Sequence, residues 1–125
     1  MADEPSNVPG GTNLGPSPYD LLGASLASCT SMTLQMYAKH KKLPLQVARV
    51  QVQHSRVHAE DCAECEKSSG LVDRFDRRVE LIGPLDDETR SRMLEIADRC
   101  PVHKTLHNEI QVVTSALESG DEASN

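Results

Sequence analysis

Leu22, Leu26, Cys29, Thr33 and Met36 recur every three or four positions, which lines them up along one side of an α-helix. Pro18 suits a first helical turn and Lys39, His40, Lys41 and Lys42 suit a last one, so a helix is predicted over 18–40, stopped by Pro44. The period then changes to two. Ala48, Val50 and Val52 alternate with Arg49, Gln51 and Gln53, and further on Phe75, Arg77, Val79 and Leu81 alternate with polar neighbours up to Gly83 and Pro84, which predicts two half-buried strands. Residues 58–70 between them are polar and acidic and close on turn formers, as a long hairpin connection does. Asp86, Asp87 and Glu88 supply a cap and an acidic first turn for a second helix with Met93, Ile96, Ala97 and Cys100 on one stripe. Pro101 can open a short helical segment to about Asn108, and the alternation from Ile110 to Thr114 predicts a last strand.

This order of elements gives an α+β class: a small antiparallel sheet packed with a long central helix and a second helix. Three strands leave open edges, so a homodimer that extends or covers the sheet is expected. Residues 1–17, rich in glycine and proline without an apolar period, read as a loop or arm, 18–115 as the single domain, and 116–125 as a disordered tail. A chain of 125 residues suffices for one core.

Composition narrows the partners. With no tryptophan, one phenylalanine and two tyrosines the core is aliphatic, and little aromatic surface is left for stacking bases. A net charge of −6, with the basic residues dispersed, repels a phosphate backbone, so nucleic acid is not an expected partner. No apolar run approaches the roughly 20 residues of a membrane span, and the first residues lack the features of a secretory signal, so a cytoplasmic protein with no membrane partner is expected. In a reducing compartment, four cysteines point to catalysis or metal binding before permanent cross-links.

Cys29 and Cys100, far apart in sequence and each on an apolar stripe, have the look of a reactive thiol pair, although a free cysteine is also a common small core residue. Cys62 and Cys65 admit three readings: zinc ligands together with His58 and a further ligand such as His54, a dithiol that passes electrons on, or exposed loop thiols. His103 and His107, four apart, read as solvated or as sharing one side of a turn. The acidic runs Glu60-Asp61 and Asp86 to Glu88 read as a solvated loop and a helix start, and Met32 and Met36 as core or dimer packing.

The run from Gly15 through Pro18-Tyr19-Asp20 to Ser28-Cys29, together with Arg99-Cys100-Pro101-Val102-His103-Lys104-Thr105-Leu106, resembles the OsmC/Ohr family of hydroperoxide-reducing proteins, over about residues 10–114. The Asp61-Cys62 to Cys65 loop and the Cys100-Pro101-Val102-His103 segment are similar to the branch that also occurs fused to α/β-hydrolases. The resemblance implies an intertwined homodimer in which Cys29 attacks an organic hydroperoxide and Cys100 condenses with the resulting sulfenic acid. A dithiol reductant then restores both thiols, and no metal or cofactor is called for. Family members usually carry an activating arginine in N-terminal strands; the residues before Pro18 hold none, and Tyr19 stands where the peroxidase branch has a glutamate, so Asp20, one position on, is expected to support the chemistry in its place. The thiolate therefore needs a cation from elsewhere. Arg77, Arg99 and His103 are the candidates, with Arg78 weaker because it falls on the opposite side of its strand. The alternatives are a non-catalytic or zinc-binding member using the Cys62/Cys65 loop, or a folded subunit of a larger assembly.

Overall fold

The computed structural model describes residues 15–61 and 70–118. Helix α1 runs Pro18–His40, strand β1 Val47–His58, strand β2 Leu71–Ile82, helix α2 Asp87–Ala97 and helix α3 Pro101–His107, with a single 3-10 turn at Ala59–Asp61. The predicted α+β class, the long first helix, both strands and the two later helices are present.

Local chemistry sets the helix ends. Ser17 Oγ accepts the Asp20 N–H at 3.1 Å while the Asp20 carboxylate accepts the Ser17 N–H at 2.9 Å, a reciprocal cap that starts α1 at Pro18. Asp20, expected to support the chemistry, is thus occupied in a cap nine residues before Cys29, about 13 Å along the helix axis at 1.5 Å per residue. At the other end α1 stops before Pro44 is reached. Lys42 turns left-handed at φ 56°, and the Leu43 N–H bonds Ala38 O at 2.8 Å while the Lys42 N–H reaches Lys39 O at 3.3 Å. In α2, Asp86 accepts the Thr89 N–H at 2.8 Å.

β1 and β2 pair antiparallel along their whole length, from Val47 opposite Ile82 to His58 opposite Leu71. Ala48, Val50 and Val52 face the same side as Leu81, Val79 and Arg77, the side on which α1 lies. Gly23 permits that approach, since a Cβ there would meet Val52 Cγ1 at 3.3 Å. Leu34, Ala38, Ala48, Leu81, Met93, Ile96 and Ala97 form the buried core, with Val79 and Leu85 packed against it. Arg90 ties α2 to the end of the sheet by donating to the carbonyls of Leu81, Leu85 and Gly83 at 2.5, 3.2 and 2.9 Å.

Four expectations need correction. The buried row of α1 is Gly23, Leu26, Thr30, Leu34 and Ala38, turned about one residue from the predicted stripe. Leu22, Met32 and Met36 are exposed, the methionines at 63% and 70%, so neither packs in the core of this chain. Residues 110–114 form no strand: among the described residues the sheet has two strands, and Ile110, Val112 and Val113 stay exposed, paired with neither of its edges. Cys100 does not continue α2, which ends at Ala97; it is the N-cap of α3. Residues 1–14 and 119–125, which carry most of the predicted arm and tail, lie outside the described residues.

Candidate active site

Where α2 ends, the backbone tightens: the N–H groups of Asp98, Arg99 and Cys100 donate to the carbonyls three residues back, at 3.2, 2.9 and 3.3 Å. Pro101 then forbids the helix to continue, and Cys100 adopts the extended backbone, φ −65° and ψ 139°, that a residue before proline prefers. That geometry makes its sulfur the cap of α3: Sγ accepts the His103 N–H at 3.3 Å. Following buried Ile96 and Ala97, Cys100 is fully enclosed, at 0% exposure.

The opposing wall is α1. Thr30 is also 0% exposed, and its Oγ1 lies 2.7 Å from Leu26 O and 3.7 Å from Cys100 Sγ. Cys29, the next residue, is half-buried, both thiols are free, and each acts on the acidity of the other. The structure therefore brings the two sulfurs predicted to act together to one place, one reachable and one enclosed.

Arg77 arrives from β2, opposite Val52, as the strand period predicted. Its Nη1 donates to Thr30 Oγ1 at 3.1 Å and to Ala97 O at 3.2 Å, and its Nη2 pairs with Asp98 Oδ1 at 2.5 Å. A single guanidinium thus joins the sheet, α1 and the α2–α3 corner. The fork geometry suits arginine; lysine has no planar fork to span three acceptors.

The surroundings pull the two thiols apart in acidity. Burial pushes the Cys29 thiol up, and the adjacent Cys100 sulfur adds to that, against the Val102 N–H and the Thr33 hydroxyl. Burial acts on Cys100 in the same sense and is its largest single influence, but the His103 N–H, the Thr30 hydroxyl, the Cys29 thiol and the Arg77 charge together outweigh it and bring Cys100 below its ordinary value. The His103 imidazole is held below its ordinary value mainly by burial, then by Arg77 and His107, with Asp98 opposing. It stacks on His107 with ring centres 4.3 Å apart.

The other predicted residues lie elsewhere. Arg99 is exposed, and Arg78, opposite Gln51, is on the sheet side away from α1. His58 closes β1 opposite Leu71. His54 stacks on Tyr19 at 4.2 Å and bonds Asp73 Oδ1 at 2.8 Å, which holds the start of α1 to the sheet. Cys62 and Cys65 lie outside the described residues, and among the described residues no cluster of His, Cys, Asp or Glu is arranged to hold a metal. Two members of the site went unread in the sequence. Thr30 fell outside the predicted stripe, although a threonine between Leu26 and Leu34 in one buried row marks a polar atom that needs a partner. No sequence signal tied Asp98 to Arg77.

A family model described as OsmC-like protein matches residues 11–115. The chain belongs to the OsmC-like family. Among solved structures, the fold of this OsmC-like chain is similar to the organic hydroperoxide resistance protein OhrB of Bacillus subtilis, at 23% identity and TM-score 0.60, over 82% of this chain and 70% of that one. An OsmC like protein from Mycoplasma pneumoniae matches at 23% identity and TM-score 0.62, covering 83% and 68%. An organic hydroperoxide resistance protein from Elizabethkingia anophelis matches at 18% and 0.64, covering 86% and 72%. The chain spans about two thirds of the length of the solved relatives it matches. Comparison with curated proteins finds no match. Among the described residues, no helix of this OsmC-like protein is long and apolar enough to cross a membrane.

Proposed function

We propose that this OsmC-like protein is a thiol peroxidase that reduces organic hydroperoxides in defence against oxidative stress. The observation that carries the reading is a half-exposed Cys29 next to Thr30, whose hydroxyl lies 3.7 Å from the enclosed Cys100 sulfur, so that the two thiols act on one another. Cys29 is the sulfur a peroxide can reach. Its thiolate attacks the distal oxygen, the O–O bond breaks, and the alkoxide leaves as an alcohol once protonated. Cys29 is then a sulfenic acid. Cys100 attacks that sulfur, the S–O bond breaks, hydroxide departs as water, and a disulfide remains for an external dithiol to reduce. No step asks for a metal or cofactor.

The reading places the protein in the cytoplasm, where thiols are kept reduced. It also includes a homodimer. Leu21, Leu22, Met32 and Met36 expose apolar surface along α1, and a two-stranded sheet has two open edges, both of which a second copy would cover. The fold shared with organic hydroperoxide resistance proteins and the family membership agree with this substrate class.

Thiol titration after one equivalent of cumene hydroperoxide tests the chemistry. The wild-type chain is expected to lose two thiols and to yield a Cys29–Cys100 disulfide on peptide mapping, and Cys29→Ser to react far more slowly. A Cys29→Ser variant that consumes peroxide as fast as wild type overturns the assignment.

A further inference from the structure

Thr30 has one hydroxyl proton and two acceptors in range. The hydroxyl is within donating distance of Leu26 O, 2.7 Å away, and of Cys100 Sγ, 3.7 Å away. Leu26 O does not depend on it, because the backbone N–H of Thr30 already bonds that carbonyl within α1. Moving the proton from one acceptor to the other needs only rotation about the Cβ–Oγ1 bond. Arg77 Nη1, donating to Oγ1 at 3.1 Å, fills one lone pair and draws electron density from the hydroxyl, which strengthens it as a donor.

We infer that Thr30 is a further catalytic residue of this site: its hydroxyl, held in place by Arg77, donates to the Cys100 sulfur whenever that sulfur is anionic. The inference rests on the peroxidase reading for its place in turnover. The groups that act on Cys100 are Cys29 and Thr30 from α1, Arg77 from β2 and the His103 N–H from α3, with Asp98 paired to Arg77 behind them. Among them Thr30 offers a hydroxyl whose proton can turn toward the sulfur by rotation about one bond, without being consumed in the redox step.

The role divides the labour between the sulfurs. When the pair carries a single negative charge, the proton sits on Cys29 and the charge on Cys100, the sulfur that accepts the His103 N–H and faces the Thr30 hydroxyl. When a hydroperoxide arrives, Cys29 passes its proton to Cys100 and attacks as the thiolate, becoming a sulfenic acid as the O–O bond breaks. The departing alkoxide takes the proton back from Cys100, which is an anion again, stabilised by Thr30. Cys100 then attacks the Cys29 sulfur, hydroxide leaves and collects a proton from solvent, and the disulfide forms. Two electrons pass from the sulfurs to the peroxide, and the products are alcohol and water.

The test titrates Cys100 in the full chain with Cys29, Cys62 and Cys65 replaced by serine, following thiolate absorbance with pH. Thr30→Val, which keeps the shape and removes the hydroxyl, is expected to leave about tenfold less thiolate at a given neutral pH, as loss of a hydrogen bond to a charged group does. Thr30→Ser restores the wild-type curve. In the chain with its native cysteines, Thr30→Val is expected to slow disulfide formation after cumene hydroperoxide by a similar factor, again with rescue by serine. Superimposed Thr30→Val and wild-type titrations overturn the inference. The titration involves no peroxide, so it judges Thr30 separately from the peroxidase reading, which fails instead if the wild-type chain consumes no hydroperoxide.

Discussion

Removing the charge of Arg77 while keeping its reach, as Arg77→Met does, isolates the guanidinium's influence on the buried sulfur. Arg77 Nη1 lies no farther than 6.8 Å from Cys100 Sγ, the 3.1 Å and 3.7 Å legs through Thr30 laid end to end. A unit charge at that distance is worth about 2 kcal/mol to a thiolate at an effective dielectric of about 20. Asp98, seated 2.5 Å from Nη2, offsets part of this, so about 1 kcal/mol remains, a little under one pH unit. The sign follows from the charge: with the cation gone the Cys100 titration moves to higher pH. The fold tolerates the change, because Ala97 O keeps the Cys100 N–H and Thr30 keeps Leu26 O; the lost bonds cost about 1 to 2 kcal/mol. Thiolate absorbance in the chain with Cys100 as its sole cysteine reads the shift, and urea melts read the stability. Arg77→Lys, which retains the charge without the fork, should fall between the two. Coincident titrations of Arg77→Met and wild type, with both folded, refute the electrostatic reasoning.

Met93→Ala empties a fully enclosed position between α2 and the core and is expected to cost about 2 to 5 kcal/mol in urea unfolding; a loss below 1 kcal/mol would mean that the core there is not close-packed. Lys42→Gly relieves a left-handed residue at the end of α1 and should raise stability by about 0.5 kcal/mol, whereas a loss would show that the Lys42 side chain contributes more than its backbone strain costs. His103 is held below its ordinary value in the folded state, so it binds its proton more weakly there than in the unfolded chain. The folded state therefore loses stability as pH falls below the ordinary histidine value of 6.5, until the folded group also titrates. His103→Gln is expected to flatten that part of the urea-midpoint profile, and an unchanged slope would count against it.

Much of this arrangement could be read from residue order because local rules governed it. Ser17, Pro18 and Asp20 announce the start of α1, and the period of two placed Arg77 on the α1 side of β2 with Arg78 on the other. Apolar character misled where a helix packs on one side only. Gly23 and Thr30 face the sheet because close approach and a buried hydrogen bond favour them there, while Leu22 and Met36 remain outside. Alternation at Ile110 to Thr114 was a necessary sign of a strand and not a sufficient one, since pairing needs a partner edge. The meeting of Asp98, Arg77 and Thr30 is a product of three separate elements, and no short-range pattern encodes it.

Gly83 adopts φ 148° with its α-carbon against Pro44 O, so a side chain there would collide with the backbone that leads out of α1. Two connections of the chain therefore run back to back with no free volume between them. Length changes or grafted peptides are poorly tolerated at that pole, where one connection is the mould of the other.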